Sequence, residues 1–199
     1  MSCLFTLSSH HPYHLLPEDE QRFAGGTNKI HPSLRYTDDA LRQFFATART
    51  MPWFANTLFV ITADHTADLE RNGQHYSEAT DYWVPLLYYM PKAIATKQVD
   101  RVTQQIDILP TVCDLIGYSK PFFSFGSSAL RDEHRACMVT ASTGFYVAID
   151  EEGPIRRTTK ELEEGTLYST PAPVKAEQCL KAAIQQFNNR LLHNELVVK

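Results

Sequence analysis

Apolar residues along this chain fall into two kinds of grouping, continuous short runs and stripes at helical spacing. The runs predict strands. Met1-Ser2-Cys3-Leu4-Phe5-Thr6-Leu7-Ser8 is apolar with no basic leader and is too short for a signal peptide, so it reads as a strand. A chain that opens inside a strand reads as the rear part of something longer. Asn56-Thr57-Leu58-Phe59-Val60-Ile61-Thr62-Ala63 has the continuity of a central strand covered on both faces. Trp83 to Pro91 predicts another, with Pro85 at its start or on an edge, because proline cannot donate to a ladder.

The stripes predict helices. Leu34, Leu41, Phe44, Phe45 and Ala48 share one helical face, with Ser33 as candidate cap and Pro52 as the stop. Gln105 to Gly117 predicts a helix with Pro110 near its first turn and Gly117 closing it. Pro121 to Gly126 reads as a loop. Ala136 to Thr140 and Gly144 to Ile149 read as a hairpin joined by Ala141-Ser142-Thr143. Lys175 to His193 is amphipathic, with Ala176, Leu180, Ile184, Phe187 and Leu191 on one side, and core packing is its default reading. Strands alternating with helices predict an α/β fold with a mainly parallel sheet flanked by helices.

Composition narrows the class further. The 199 residues are 43% hydrophobic with a net charge of −4, which suits a globular chain and excludes disorder. So mild a balance lacks the basic face of a nucleic-acid binder. No run of about 18 apolar residues occurs, so no membrane span is expected. Cys3, Cys113, Cys137 and Cys179 are far apart, which argues against zinc-finger or CxxC chemistry. Four buried thiols is the default reading, while the even count also allows disulfides.

Chemistry concentrates at the ends of the strand-like runs, where open α/β sheets place their sites. Asp64 and His65 follow the buried run directly, in Thr62-Ala63-Asp64-His65-Thr66. A carboxylate and an imidazole side by side can share one divalent cation; equally, a loop carboxylate can simply orient its neighbour. Ser8-Ser9-His10-His11-Pro12-Tyr13-His14 places three histidines in five residues, suited to a metal, a phosphate or a sulfate, or to a solvated polar loop. His75, in a polar segment, is a looser third candidate. His31, His134 and His193 have no company and read as surface residues. No GxSxG elbow, P-loop or GxGxxG is present, and no serine or threonine stands in an activating context.

Taken in order, these segments resemble the C-terminal part of the sulfatase-like catalytic domain of the lipoteichoic acid synthase family, within the alkaline phosphatase superfamily. The resemblance rests on Thr6 to Tyr13, on Tyr36-Thr37-Asp38, on Pro52 to Thr66, on Pro85 to Pro91 and on Gln105 to Thr111. It covers residues 4 to 150, within a single partial domain spanning 1 to 199 whose last fifty residues form a β-rich end and a helix. The resemblance implies that Asp64 and His65 bind a divalent metal, with manganese first and magnesium, zinc or calcium as alternatives. It implies that His10, and more loosely His75, contact the substrate's phosphate or sulfate group, while Tyr36, Asp38 and Asp107 are structural. The family nucleophile and a further acidic ligand would lie upstream of this chain, so the chain alone is expected to be inactive or nearly so.

The function implied is a metal-dependent phosphoglycerol or other phospho-ester transferase or hydrolase of the cell envelope. Its substrate would be an anionic phosphate or sulfate ester such as phosphatidylglycerol, and relatives would be membrane-anchored with an extracytoplasmic catalytic domain. The alternative is a non-catalytic module that binds anionic glycans or lipid headgroups. Sheet neighbours outside the chain would leave apolar surface exposed, which favours association.

Overall fold

The computed structural model describes residues 1–67, 78–133, 137–164 and 174–197. Its helices are α1 (Pro17–Arg22), α2 (Ile30–Ala48), α3 (Ile108–Leu115), α4 (Thr159–Glu164) and α5 (Val174–Leu192). Its strands are β1 (Phe59–Thr62), β2 (Leu86–Tyr89), β3 (Met138–Ser142), β4 (Phe145–Asp150) and β5 (Gly153–Thr158). Two units result: Met1–Tyr76 with Asp81–Thr96, and Ser77–Thr80 with Lys97–Lys199.

In the first unit, β1 and β2 pair antiparallel, with Phe59 opposite Tyr89 and Thr62 opposite Leu86. Pro85 stands immediately before β2, where its missing N–H costs the ladder nothing. Phe59 and Tyr89 stack at 5.9 Å, and Phe45 of α2 meets both rings at 5.1 and 5.8 Å. Phe54 joins from the turn before β1, at 5.6 Å from Phe59. Offset and edge-on aromatic pairs add roughly 0.5–1.5 kcal/mol each beyond area burial, so this cluster fixes α2 against the hairpin.

Several sequence expectations change here. Helix α2 starts at Ile30, ahead of the expected Ser33. Ser33 is buried and donates its hydroxyl to the Ile30 carbonyl, so it bonds within the first turn and caps nothing. Met1 to Leu7 forms no strand, and Leu4, Phe5 and Leu7 are exposed. An apolar run supplies a strand's residues but not its hydrogen-bonding neighbour, and none pairs with it among the described residues. β1 is half-buried and has β2 as its partner, so it is not covered on both faces within these residues. Both described sheets are antiparallel, which corrects the parallel pairing expected from alternation, while the mixed α/β class stands.

The second unit is a three-stranded meander, β3-β4-β5, with α5 against it. The expected hairpin is present with both strands displaced toward the C-terminus, to Met138–Ser142 and Phe145–Asp150, turning at Thr143 and Gly144, where Gly144 has a φ of 82°. β5 completes the β-rich end. Ala148, Ile155, Ala176 and Leu180 form the core, with Val139, Tyr146 and Ile184 packed around it. The stripe read along α5 is therefore a core stripe in its first half. Phe187 and Leu191 continue it and stay about half exposed, with Phe187 resting 6.0 Å from Phe125.

Polar contacts lock this unit. Arg157 of β5 bonds Glu177 of α5 at 2.9 Å, and Lys181 reaches the same carboxylate at 3.1 Å. Burial pushes the Glu177 carboxyl up, but Lys181 and Arg157 outweigh it and leave the group below its ordinary value. Cys137 and Cys179 form a disulfide that ties the start of β3 to α5, while Cys113 is buried and free and Cys3 is exposed. The reading of four buried thiols therefore fails. Residues 42 apart in sequence came within reach only because α5 folds back onto the sheet.

Helix α3 follows a single 3-10 turn, Gln105–Asp107. Gly117 closes it as expected: at φ 68° it lets its own N–H reach Asp114 and the Tyr118 N–H reach Cys113, the Schellman arrangement. Asp107 is almost fully buried and accepts the backbone N–H groups of Gln104 and Ser127 at 2.9 and 2.8 Å. Gly126 is required beside it, because a Cβ there would come within 2.2 Å of the Ile106 carbonyl. Arg131 and Ser128 bond Asp114 and hold its carboxyl below its ordinary value of 3.8.

Three outcomes follow from this packing. Leu180→Ala should cost about 2–5 kcal/mol in urea unfolding, the range for a buried leucine in a core that cannot collapse. Removing the disulfide by Cys179→Ser should lower stability by up to about 4 kcal/mol on the loop-entropy estimate, read in the same measurement. Because the Asp114 pKa is depressed on folding, its contribution is complete above the usual 3.8 and is lost as pH falls through the folded value. The thermal stability advantage of wild type over Asp114→Asn should accordingly be full at neutral pH and fade in acid below that point.

Candidate functional site

The C-terminal end of β1 carries the candidate pair. Beyond Thr62 the chain leaves the ladder, and Asp64 and His65 project from the turn that follows, both exposed. The Asp64 carboxylate accepts the His65 backbone N–H at 2.9 Å through Oδ1. Its other oxygen, Oδ2, lies 3.5 Å from His65 Nε2. His65 Nδ1 stands 2.6 Å from the Thr66 carbonyl, and since a carbonyl only accepts, Nδ1 carries the proton of that bond. Nε2 is then the nitrogen on the carboxylate side. Thr66 is fixed in turn by donating its hydroxyl to the Asp81 carbonyl at 2.6 Å. Thr66 is the member of this group that sequence reasoning quoted without giving it a role; its contribution is a main-chain oxygen, which no side-chain pattern displays.

His10 sits in a tight turn before α1. Its N–H donates to the Leu7 carbonyl at 3.0 Å, and its carbonyl accepts the Tyr13 N–H at 2.8 Å. His10 Nδ1 donates to the His11 carbonyl at 2.6 Å, so His10, like His65, offers Nε2 outward. The His11–Pro12 peptide bond is cis, and Tyr13 adopts φ 68° with its ring edge-on to His11 at 5.5 Å. Ser8 and Ser9 on the preceding side bond Thr37 of α2 at 2.9 and 3.2 Å.

The other predicted residues fall out as follows. His75 lies outside the described residues, as does His134. Tyr36 packs edge-on to Phe23 at 5.7 Å, and Asp107 serves the loop at the start of α3, both of them structural contacts. His31 is not a solitary surface residue, since its Nδ1 accepts the Thr27 and Asn28 N–H groups at 3.1 and 3.3 Å. His193 is exposed and bonds back to the Asn189 carbonyl.

Do the residues present suit the cation that the family resemblance implies? Two donors each about 2.1 Å from a shared four-coordinate cation stand roughly 3.4 Å apart. Asp64 Oδ2 and His65 Nε2 are separated by 3.5 Å. The backbone bond at Nδ1 is the usual outer contact of a metal-binding histidine, which fixes its tautomer and ring orientation. The donor set joins a hard carboxylate oxygen, which suits manganese or magnesium, to an imidazole nitrogen, which suits zinc. No group of three or more His, Cys, Asp or Glu able to hold a metal is assembled among the described residues, so the pair is at most part of a complete shell.

Comparison with known proteins agrees with this architecture. The chain is 27% identical over 148 residues to lipoteichoic acid synthase 1 of Bacillus subtilis (strain 168), covering 66% of this chain and 23% of that protein. It is 24% identical over 216 residues to the lipoteichoic acid synthase-like protein YvgJ of the same organism, covering 96% of this chain and 35% of that one. Among solved structures, a protein in the alkaline phosphatase superfamily from Vibrio parahaemolyticus superposes with a TM-score of 0.72 at 20% identity, over 98% of this chain and 50% of that one. The lipoteichoic acid synthase LtaP from Listeria monocytogenes superposes with a TM-score of 0.63 at 18% identity, over 92% of this chain and 53% of the other. The chain thus spans a quarter to a third of these curated relatives and about half of the solved chains, and it has the fold of the alkaline phosphatase superfamily. No helix among the described residues is long and apolar enough to cross a membrane. The Sulfatase family model matches residues 1–118, the stretch that carries β1, Asp64, His65 and the His10 turn, and this chain belongs to the sulfatase family.

Proposed function

We propose that this protein contributes the Asp-His half of a divalent-cation site to a phospho-ester transferase or hydrolase of the cell envelope. The observation that carries the proposal is the 3.5 Å separation of Asp64 Oδ2 and His65 Nε2, with the His65 ring oriented by the Thr66 carbonyl. Asp64 and His65 would hold the cation, manganese first. A bound divalent cation would neutralise charge gathering on the ester oxygens and acidify an attacking hydroxyl. His10 would contact the ester's anionic group through Nε2, the nitrogen its own turn leaves outward. The roles proposed for Asp64, His65 and His10 are binding roles, and none of the three is proposed as the attacking group.

A phosphoglycerol ester such as phosphatidylglycerol is the substrate class suggested by the lipoteichoic acid synthases among its relatives. An extracytoplasmic setting is supported by the Cys137–Cys179 disulfide, since such bonds persist in oxidising compartments and are rare in the cytosol.

The test is calorimetric titration with manganese. The protein should bind the ion, and Asp64→Ala and His65→Ala should each weaken binding by more than about tenfold, the loss that even an outer-shell change produces. Affinity should also fall in mild acid, because imidazole and carboxylate ligate only when deprotonated. Unchanged affinity in both variants would sink the metal-site reading.

A further inference from the structure

The hydroxyl of Thr37 occupies an unusual position in the first unit. It projects from α2 toward the segment that leads into the His10 turn, and it makes three contacts. Thr37 Oγ1 donates to the Ser33 carbonyl one turn earlier, at 2.9 Å. A carbonyl cannot donate, so this bond commits the only proton that a threonine hydroxyl has. The contacts with Ser8 Oγ at 2.9 Å and Ser9 Oγ at 3.2 Å must then run the other way, both serines donating to Thr37. One donor and two lone pairs are all that a hydroxyl offers, and all three are used. The Ser33 side chain is turned inward on the same helix, buried and bonded to Ile30, which keeps the carbonyl that Thr37 needs in place.

We propose that Thr37 is the positioning residue of the His10 turn: by accepting from two consecutive serines it pins the chain immediately before His10 to α2, and so aims the His10 ring. Beyond this anchor His10 is held by its own N–H, carbonyl and Nδ1, which leaves Nε2 as its outward nitrogen. Two consecutive serine anchors fix both the position of the Ser8-Ser9 segment and its rotation about its own axis, which a single bond would not. The consequence for an anionic ester rests on the reading of His10 given above; the pinning itself does not.

Amide hydrogen exchange of the full chain separates the two. In Thr37→Val, exchange at His10 and Tyr13, whose N–H groups close the turn, should accelerate by roughly tenfold or more, the equivalent of one or two lost hydrogen bonds. Thr37→Ser, which keeps the hydroxyl, should restore the wild-type rate. Arg49, whose N–H closes the far end of α2 on Phe45, reports on the helix itself and should not change. Inorganic phosphate added to the same samples should shift the His10 ring resonances in wild type and Thr37→Ser, and much less in Thr37→Val. Acceleration without any phosphate response in wild type would uphold the pinning and overturn the oxyanion role of His10. Unchanged exchange at His10 and Tyr13 in Thr37→Val overturns the proposal. So does equal acceleration at Arg49, since Thr37 would then merely stabilise its helix.

Discussion

The contact of Phe45 with Phe59 and Tyr89 is the constraint on which the candidate site depends. It joins one residue from α2, one from β1 and one from β2, and β1 is only four residues long. A two-stranded ladder of that length has little stability in water by itself. Packing three rings through their edges and faces gives the hairpin a fixed seat, and the chain leaving β1 then emerges at a defined place. Asp64 and His65 are the second and third residues beyond that exit. The same helix presents Thr37, about two turns before Phe45, to Ser8 and Ser9, so α2 acts as the common reference for both the Asp-His pair and the His10 turn.

The two candidate histidines are presented by the same local device. In each, Nδ1 donates to the carbonyl of the next residue at 2.6 Å, and Nε2 faces outward. This arrangement needs only one backbone oxygen and a turn, and it settles the tautomer before any ligand arrives. What differs is the neighbour. His65 has a carboxylate oxygen 3.5 Å from its outward nitrogen, which suits a shared cation. His10 stands just beyond the two serine hydroxyls that bond Thr37, with its own N–H, carbonyl and Nδ1 engaged, and contact of Nε2 with an anion is the role proposed for it.

The second unit follows a different logic. Its sheet is covered by α5 through small residues, Ala148 and Ala176, and through Leu180 and Ile155 between them. So thin a core leaves little margin, and covalent and ionic ties supplement it: the disulfide at one end, and Arg157 with Lys181 on Glu177 along the helix. The apolar stripe of α5 continues beyond the residues of the core cluster: Phe187 meets Phe125 of the Phe123–Phe125 loop, and Phe187 and Leu191 remain half exposed. Arg190 lies over the Phe123 ring at 4.7 Å and holds that loop to the helix.

The sequence by itself determined several of the regular segments and where chemistry could lie. The apolar runs at Phe59 to Thr62 and Leu86 to Tyr89, the stripe of α5, the glycine stop after α3 and the Asp64-His65 pair were all legible, because each depends on residues near one another in the chain. Tertiary structure decided everything that needs a partner. Met1 to Leu7 has a strand's composition and no ladder, β1 pairs antiparallel with β2, and Ser33 turns inward where a cap was expected. Cys137 meets Cys179 across 42 residues, and Thr66 and Thr37 act through a carbonyl and a saturated hydroxyl. Hydrogen bonds and disulfides are properties of pairs, and residue spacing along a chain does not reveal which distant group will arrive.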